Sequence, residues 1–589
     1  MIPRFSISEK RLRAPLILIF LLLVGISAGF LSRYVFSENA RFETFCDTLF
    51  KEEVSASTLT LHYSLAEPEK FGIPDTAISL GQIDTDFSKQ QKQYQHCLDT
   101  LKDFSPDRLS PENQITLDTL LLYFGTKASL GNTAVLEELL GPSLGIQAQL
   151  PVLLAEYAFY TRQDISDYLN LLTSVRPYFQ SILSFEQQKA ASGCFMSDAT
   201  LDRILSQCRA FAENPKGNYM QDIFLQKIQD FPGIDQAEQT KLADFHQKLL
   251  EQEVLPAYQE LIQGLESLRG QGKSSRGLAG FENGQKYYES LIKQDTGCYL
   301  PVKEIEKKLV SRLMSDCRQL SIIAKENPKL LSLTKQIQNA LSMEPSEMLE
   351  TLRKKILPDF PDIGETSYEL RRVHTSMEEF LSPAFYLTPP MDTQKPNVIY
   401  LNRPDKNNSL DLFTTLAHEG FPGHLYQTLY FSRQDPAPIR QLISCGGYVE
   451  GWATYIEEYA GQYAASLMKS PAAEDVVRMN FLNKRISLCI YSLLDINIHY
   501  KGWTQPQTAI FLGSFGIRSA AAAAEIYQYI VETPANYLKY CLGSLNFNEL
   551  RDAQKASLKE DFELKEFHRQ VLDIGPVPFP VLQKYMNAV

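Results

Sequence analysis

The sequence predicts a large, mostly α-helical fold with at least one short strand, and three observations support this prediction. The composition is that of a folded globular protein, with 44% hydrophobic and 22% charged residues. Apolar residues recur at helical spacing along most of the chain, most clearly over residues 250–268. The run Val398–Leu401 is apolar and follows a proline-rich passage, which favours a short strand within residues 397–402.

The helical pattern divides the chain into two long regions. Residues 250–268 form the clearest amphipathic helix, and we expect Pro256 to kink it without ending it. Glycine, serine and charged residues then replace the apolar periodicity over residues 270–284, as is typical of a linker. We therefore predict a helical N-terminal region over residues 46–275 and a second helical region over residues 276–589.

The N-terminus carries a membrane-targeting segment. Residues 14–31 contain no charged residue and follow a basic cluster within residues 1–13. The stretch is just long enough to span a bilayer. We predict a cytoplasmic segment (1–13), a retained transmembrane signal anchor (14–31) and a linker (32–45), with the rest of the chain outside the cytoplasm. Cleavage of the segment, which would give a secreted protein, stays open.

Charge and cysteine usage narrow the function only slightly. A formal net charge of -12 without a dense basic stripe argues against a nucleic-acid partner. The nine cysteines show no C-x-x-C spacing. In an exported protein the conceivable disulfides join Cys46 to Cys97, Cys194 to Cys208, and Cys298 to Cys317, although the sequence does not fix the pairing. Three further cysteines lie in apolar contexts and are expected to be small buried hydrophobic residues: Cys445, Cys489 and Cys541.

The stretch HEGFPGH, residues 418–424, resembles a zinc-binding helix with unusual spacing. In H-E-x-x-H both histidines lie four residues apart on one helical face, with the glutamate as general base. Here the second histidine comes two residues later, and on a straight helix His424 would point away from His418. Pro422 and Gly423 fill the interval, and these residue types interrupt helices and allow sharp turns. The motif therefore binds a metal only if the helix breaks inside it.

A third metal ligand is available in the segment VEGWATYIEEYA. A catalytic zinc site needs three protein ligands, an open position for water and a carboxylate that accepts the proton. Glu450 lies 26 residues after His424, and Glu457 shares its helical face two turns further on. We predict that Glu450 is the ligand and that Glu457 orients a histidine, with the reverse assignment open. Taken alone, this segment is an ordinary amphipathic helix whose glutamates are solvated.

The order of motifs is similar to that of the bacterial family known as domain of unknown function 885. The resemblance rests on H-E-x-x-P-G-H at residues 418–424 and E-G-W-A at residues 450–453, followed by LLDINIHYKGWT, TPANYLKYCLG and FHRQVLDIGPVPFPVL. It implies a helical fold similar to zinc peptidases of the carboxypeptidase Taq and thimet oligopeptidase type. It further implies one Zn²⁺ held by His418, His424 and Glu450, and Glu419 as the general base.

Two residues in the matching downstream segments can donate a hydrogen bond to an oxyanion. We predict this role for His499 and Tyr540, against the alternatives of a core histidine and a packed tyrosine. One position departs from the family pattern, because Gln528 stands where an arginine is expected. The departure concerns a substrate contact and not the metal.

The function these observations predict is that of a membrane-tethered, extracytoplasmic zinc metallopeptidase that cleaves a peptide or protein substrate. The strand at residues 397–402 is expected to pair with an extended peptide. The alternatives are an inactive helical surface binding or scaffold protein, and a zinc hydrolase of a non-peptide amide or ester. Manganese or cobalt fit the same ligands. The sequence leaves oligomeric state and exopeptidase or endopeptidase action open, and the arginines considered for binding a substrate terminus are Arg371, Arg372, Arg485 and Arg551.

Overall fold

The computed structural model describes residues 37–74, 76–213, 217–375, 378, 382–404, 408–443 and 445–586. The predicted cytoplasmic segment and signal anchor, residues 1–31, lie outside the described residues. Among the helices that are described, none is long and apolar enough to cross a membrane.

The described part of residues 37–275 is built from helices. Their bounds are α1 Glu38–Val54, α2 Thr58–Ser64, α3 Phe87–Lys102, α4 Pro111–Leu130, α5 Ile146–Glu156, α6 Arg162–Leu172, α7 Val175–Ala191, α8 Asp198–Ala212, α9 Tyr219–Asp230, α10 Gln236–Leu249 and α11 Leu255–Ser267. A π-helical turn, Leu250–Val254, joins α10 to α11, and Pro256 lies in the first turn of α11. The chain is helical on both sides of Pro256, so the helix does not end there, as predicted.

The remainder of the chain adds further helices and one small sheet. The helices are α12 Gly284–Thr296, α13 Val302–Glu326, α14 Leu330–Gln338, α15 Pro345–Lys355, α16 Ser409–Glu419, α17 His424–Ser432, α18 Pro438–Leu442, α19 Gly446–Leu467, α20 Ala473–His499, α21 Gln505–Ser514, α22 Ala520–Glu532, α23 Asn536–Leu558, α24 Leu564–Ile574 and α25 Phe579–Met586. The structure is 70% helical, so the prediction of a mostly α fold is confirmed.

The prediction of a linker over residues 32–45 is wrong from Glu38 onward. Helix α1 begins there, and the Ser37 hydroxyl caps it by accepting a hydrogen bond from the Ala40 N–H at 3.1 Å. Phe42 is fully buried in a core with α3 and α4. The apolar residues of this stretch are therefore one face of a packed helix. The division at residue 275 stays a prediction.

Three short strands form the sheet, in the order β1-β3-β2. Strand β3, Val398–Leu401, pairs in parallel with β1, Glu369–Arg372, and antiparallel with β2, Ala384–Leu387. The predicted strand exists, but its predicted role is wrong. Because β3 is central, both of its edges are already paired, and it has no free edge for a peptide. Strand β2 supplies the edge next to helix α16.

The sheet separates two packing environments. Ile399 and Leu401 point into the large core that contains α16, α17 and α19. Val398 and Tyr400 point to the other face, where Val152 of α5 packs against them. Alternation along one strand thus fixes which face of the sheet meets the His418 helix and which meets the N-terminal helices.

The cysteines do not form the conceivable disulfides. All nine are free thiols. Cys445, Cys489 and Cys541 are buried, as predicted, and the Sγ atoms of Cys489 and Cys541 lie 3.6 Å apart between α20 and α23.

Helices α19 and α23 cross at glycines. A Cβ added at Gly451 would lie 2.3 Å from the Cα of Gly543, and one added at Gly543 would lie 2.1 Å from the carbonyl oxygen of Gly447. These contacts are between backbones, which cannot move aside as side chains do. The crossing therefore requires glycine, and it brings Glu450 on α19 next to Tyr540 on α23.

We expect Gly451→Ala to lower the free energy of unfolding by about 1–3 kcal/mol, because the methyl group overpacks the helix crossing. Gly125→Ala is the matched control, since a Cβ at Gly125 of α4 meets nothing within 4 Å. That control should stabilise the protein by up to ~1 kcal/mol, because alanine favours a helix. Urea unfolding followed by circular dichroism measures both changes. Equal effects of the two substitutions would contradict the close crossing.

Candidate metal centre

The motif HEGFPGH does not form one continuous helix. Helix α16 ends at Glu419 and α17 begins at His424, and the three residues between His424 and the Gly420 cap are not helical. A Cβ at Gly423 would lie 1.8 Å from the carbonyl oxygen of His418, so only glycine fits where the chain returns over the end of α16. The Gly423 N–H donates to the carbonyl of Ala417 at 3.0 Å. The sequence prediction of a break inside the motif is confirmed.

The tryptophan of the second motif stabilises this break. Trp452 is fully buried, and its Nε1–H donates to the carbonyl of Pro422 at 2.8 Å. An interrupted helix leaves carbonyl groups without intrahelical partners, and a buried one needs a donor. The E-G-W-A segment therefore contributes two groups to the site. Trp452 donates to the carbonyl of Pro422 in the helix break, and Glu450 provides a carboxylate.

Both histidines reach one carboxylate oxygen. The ring centroids of His418 and His424 lie 4.8 Å apart at 82°. The Oε2 atom of Glu450 lies 3.7 Å from Nε2 of His418 and 3.5 Å from Nε2 of His424. A tetrahedral zinc site with bonds of ~2.1 Å has ligand–ligand edges of ~3.4 Å. The two distances to Glu450 are therefore close to the ligand–ligand edges of a tetrahedral zinc site.

Glu457 approaches His418 from the opposite side of the ring. Its Oε1 atom lies 2.9 Å from Nδ1 of His418, and its Oε2 atom lies 3.7 Å from Nζ of Lys484. A carboxylate in this position fixes the imidazole so that Nδ1 carries the proton and Nε2 is free to bind a metal. The geometry favours Glu450 over Glu457 as the third ligand.

Glu419 lies beside the histidines and is attached to the sheet. Ligand atoms of His418, Glu419 and His424 all lie within 4.8 Å of one another. One carboxylate oxygen of the buried Glu419 accepts the backbone N–H of Tyr386 in β2 at 2.9 Å. Burial raises the pKa of this carboxyl above its ordinary value, and the neighbouring imidazoles oppose that rise. The other oxygen is available for proton transfer.

The electrostatics of the group favour a compact cluster of opposite charges. Burial alone would lower the pKa of His418, but its hydrogen bonds to Glu450 and Glu457 raise that pKa well above the ordinary value. Burial raises the pKa of Glu450, yet the two histidines outweigh this effect and hold the pKa far below its usual range. The carboxylate of Glu450 is therefore anionic at neutral pH, as a metal ligand must be.

Of the two predicted oxyanion donors, the structure places only Tyr540 in the site. Tyr540 lies on α23, and its pKa is raised well above the usual value, first by burial and then by the charge and hydrogen bonding of Glu450. The contact puts the phenol next to the proposed ligand.

His499 is a structural residue, which corrects the prediction that it donates to an oxyanion. It is fully buried at the end of α20. Its Nδ1 atom accepts the N–H of Leu278 at 3.1 Å, and its Nε2 atom lies 2.8 Å from the carbonyl of Ile530. Both ring nitrogens are occupied by backbone groups, so neither can reach a substrate. Burial lowers the pKa of His499 to about 4.

Asp495 of the same motif is also structural. Its carboxylate accepts the backbone N–H of Ala535 at 3.0 Å and the hydroxyl of Tyr288. Ala535 directly precedes helix α23, so this contact fixes where the Tyr540 helix begins.

The remaining predicted polar residues have partners outside the site. Gln528, at the position where an arginine was expected, donates to Thr200 at 2.9 Å and to Glu532 at 2.7 Å. Arg485 forms two 2.6 Å bonds with the buried Asp316. Other arginines are paired in the same way, Arg551 with Asp552 and Arg371 with Glu369.

Sequence reasoning missed strand β2 as a component of the site. The passage LSPAFYLTPP reads as proline-rich and irregular, yet Ala384–Leu387 within it forms the edge strand. Its register with β3 turns the N–H and C=O groups of Ala384 and Tyr386 away from the sheet. The alternation of Phe385 and Leu387 against Tyr400 and Val398 is the signal that could have identified it.

Comparisons with known proteins identify the family. The chain belongs to the family described as bacterial protein of unknown function (DUF885), which it matches over residues 71–586. The resemblance found in the sequence is thereby confirmed. A comparison with curated proteins gives no match.

Two solved structures share the fold. One is a candidate lipoprotein from Colwellia psychrerythraea, with a TM-score of 0.80 and 19% identity over 94% of this chain and 99% of that chain. The other is a candidate lipoprotein of unknown function from Shewanella oneidensis, with a TM-score of 0.63 and 16% identity over 92% and 99%. An inhibitor-bound PZ peptidase A matches with a TM-score of only 0.34 and 11% identity, covering 86% of this chain and 98% of that chain. The last similarity is too distant to say anything about activity.

We expect Trp452→Phe to lower the free energy of unfolding by roughly 1–3 kcal/mol, because the buried carbonyl of Pro422 loses its donor. The control is Trp503→Phe, since the ring of Trp503 is half-buried against Phe511. Chemical unfolding of both variants measures the difference. If Trp503→Phe costs as much, the hydrogen bond to Pro422 does not stabilise the break.

Proposed function

We propose that the protein is a zinc-dependent peptidase in which His418, His424 and Glu450 hold one Zn²⁺. The observation that supports this most strongly is the convergence of both Nε2 atoms on one oxygen of Glu450, at 3.7 and 3.5 Å. These distances match the edges of a tetrahedral site, and Glu457 supports the ligand His418 from behind. Manganese or cobalt can occupy the same donor set.

Each residue of the site has a role in the hydrolysis of an amide bond. A metal held by His418, His424 and Glu450 would supply Lewis acidity and would lower the pKa of a water nucleophile. Glu419, held by the Tyr386 N–H, accepts a proton from the water and returns it to the leaving amine. The hydroxyl of Tyr540 is hydrogen-bonded to Glu450 in this structure, and on substrate binding it would donate instead to the carbonyl oxygen under attack.

The edge of β2 favours a peptide as the substrate. The N–H of Ala384 and the C=O of Tyr386 point away from the sheet, on the same edge as the Tyr386 N–H that contacts the proposed general base. An extended peptide can pair with these groups through its own backbone. This pairing explains why a strand edge borders a metal centre, which a small ester or amide substrate would not need.

The location we propose is outside the cytoplasm, with residues 14–31 as the membrane anchor. The apolar stretch behind a basic cluster supports this placement. Two proteins with the same fold are described as candidate lipoproteins, which is consistent with an envelope location.

We expect Glu419→Gln to retain the metal and to lower kcat by roughly 100- to 10,000-fold, because only the proton acceptor is lost. Glu458→Gln, on helix α19, is the control. The measurements are metal content by mass spectrometry and cleavage of a mixed peptide library by wild type and both variants. Bound metal without cleavage by the wild type would instead favour a non-peptide substrate or an inactive binding protein. Absence of bound metal after reconstitution would refute the proposal.

Replacing each of the two glutamates of helix α19 distinguishes ligand from support. We expect Glu450→Gln to abolish tight metal binding, and Glu457→Gln to weaken it by about 10- to 100-fold, as is typical for partners of ligating histidines. Competition with a chromogenic chelator measures both affinities. If Glu457→Gln has the larger effect, the assignment of ligand and support is reversed.

A further inference from the structure

A cavity of about 290 Å³ is lined in part by residues that are close in sequence to the proposed metal ligands. It is named here the Arg440 pocket, after its only buried arginine among the described lining residues. The lining residues that carry the argument are Thr388, Gln427, Thr428, Arg440 and Val449. The volume is close to the lower limit for small-molecule sites, so it suits one residue of a substrate and not a large ligand.

Three elements of the metal centre lead directly into this pocket. Gln427 lies three residues after His424 on α17 and therefore on the same helical face. Val449 immediately precedes Glu450 on α19. Thr388 follows the last residue of the edge strand β2. A chain that pairs with β2 toward Thr388 would therefore run in the direction of the Arg440 pocket.

Arg440 is a buried guanidinium without a carboxylate partner among the described residues. Only 6% of the residue is exposed. One terminal nitrogen donates to the carbonyl of Ile574 at 2.7 Å and of Pro576 at 3.4 Å, and the group stacks over Phe431 at 5.3 Å. Its Nε–H has no hydrogen-bond partner in the part of the chain that the structure describes. Burial lowers the pKa of Arg440 to about 10, so the group is still a cation at neutral pH.

Gln427 provides a second donor that has no partner. It is 3% exposed, and its side-chain Nε2 is buried without a hydrogen bond. A buried polar group without a partner is costly and uncommon in native proteins. Both residues line one cavity, and neither donor has an acceptor among the described residues, so a rotation of either side chain offers a donor to an acceptor held in the cavity. The buried Arg485, by contrast, is neutralised by Asp316.

We propose that the Arg440 pocket binds a carboxylate group, with Arg440 supplying the charge and Gln427 a second hydrogen bond. A planar carboxylate matches the guanidinium and would neutralise a charge that the described residues leave unpaired. In a peptidase this group belongs to the substrate, and this part of the inference rests on the proposed function. The carboxylate comes either from the C-terminus or from an aspartate or glutamate side chain.

Binding is tested independently of catalysis. The wild-type protein, reconstituted with zinc, is titrated calorimetrically with N-acetylglutamine, which has only the C-terminal carboxylate, and with N-acetylglutamate α-amide, which has only the side-chain carboxylate. N-acetylglutaminamide has neither and is the neutral control. We expect one of the two acids to bind at least tenfold more tightly than the neutral compound, which also identifies the source. Equal affinity for all three compounds, or no binding, overturns the proposal.

Two variants assign this binding to the pocket. We expect Arg440→Gln and Gln427→Met each to lower the affinity for the preferred acid by about 10- to 100-fold, as for loss of a hydrogen bond to a charged group. Arg433→Gln is the control, because Arg433 is exposed at the C-cap of the helix α17 that carries Gln427, and it should leave the affinity unchanged. Gln427→Met removes a buried donor that has no partner, so it should keep or raise the unfolding temperature while it weakens binding. Weaker binding only in a variant that also unfolds more easily would refute the assignment.

Peptide cleavage provides the second arm. Matched peptides with a free or an amidated C-terminus, and with glutamate or glutamine near the cleaved bond, are compared on wild type and Gln427→Met. We expect the variant to raise KM for the peptide with the preferred carboxylate and to leave the neutral peptides unchanged. If no peptide is cleaved, the proposed function fails while calorimetry still decides the pocket. If cleavage occurs without a carboxylate preference, the pocket proposal fails alone.

Discussion

The carbonyl of Pro422 and the N–H of Trp452 form the contact on which the site depends. A helix that continued past Glu419 would carry His424 away from His418. The chain instead stops, crosses the end of α16 at Gly423 where no side chain fits, and starts a new helix at His424. The indole N–H of Trp452 donates a hydrogen bond to the carbonyl of Pro422, which lies in this break. Because Trp452 and Glu450 share helix α19, the packing of this helix positions the helix break and the carboxylate of Glu450 together.

The sheet and the helix crossing complete the same arrangement from two other directions. Strand β2 fixes Glu419 through the amide of Tyr386. The contact of Gly451 with Gly543 brings the α23 helix close enough for Tyr540 to reach Glu450. In both contacts the positioning partner is a backbone group, the amide of Tyr386 in one and the glycine backbones in the other. The reactive side chains are thus positioned by backbone groups, which tolerate far less displacement than long side chains.

Sequence patterns predicted the parts of this site that depend on local geometry. The residue types between His418 and His424 predict a helix break, and the two-turn spacing from Glu450 to Glu457 predicts that both lie on one helical face. Strand order is a tertiary property, so the sequence did not show that β3 is central and that β2 has the free edge. His499 was misassigned because a reactive residue in a motif can equally well satisfy backbone groups in the core. The segment APIRQL gives no indication in the sequence that Arg440 binds anything. The residue stands out only in the structure, where it is buried without a charged partner among the described residues.

The glycine contacts have a consequence for how such a site varies over evolutionary time. Gly423, Gly451 and Gly543 each lie against backbone atoms that an added methyl group would strike. During evolution, a substitution at one of the proposed metal-binding residues can leave a folded protein without activity, and a later substitution can restore that residue. The chain cannot pass through a bulkier residue at these glycines without disturbing the frame that holds the ligands. The history of the site is therefore constrained more tightly at these glycines than at the residues proposed to perform chemistry.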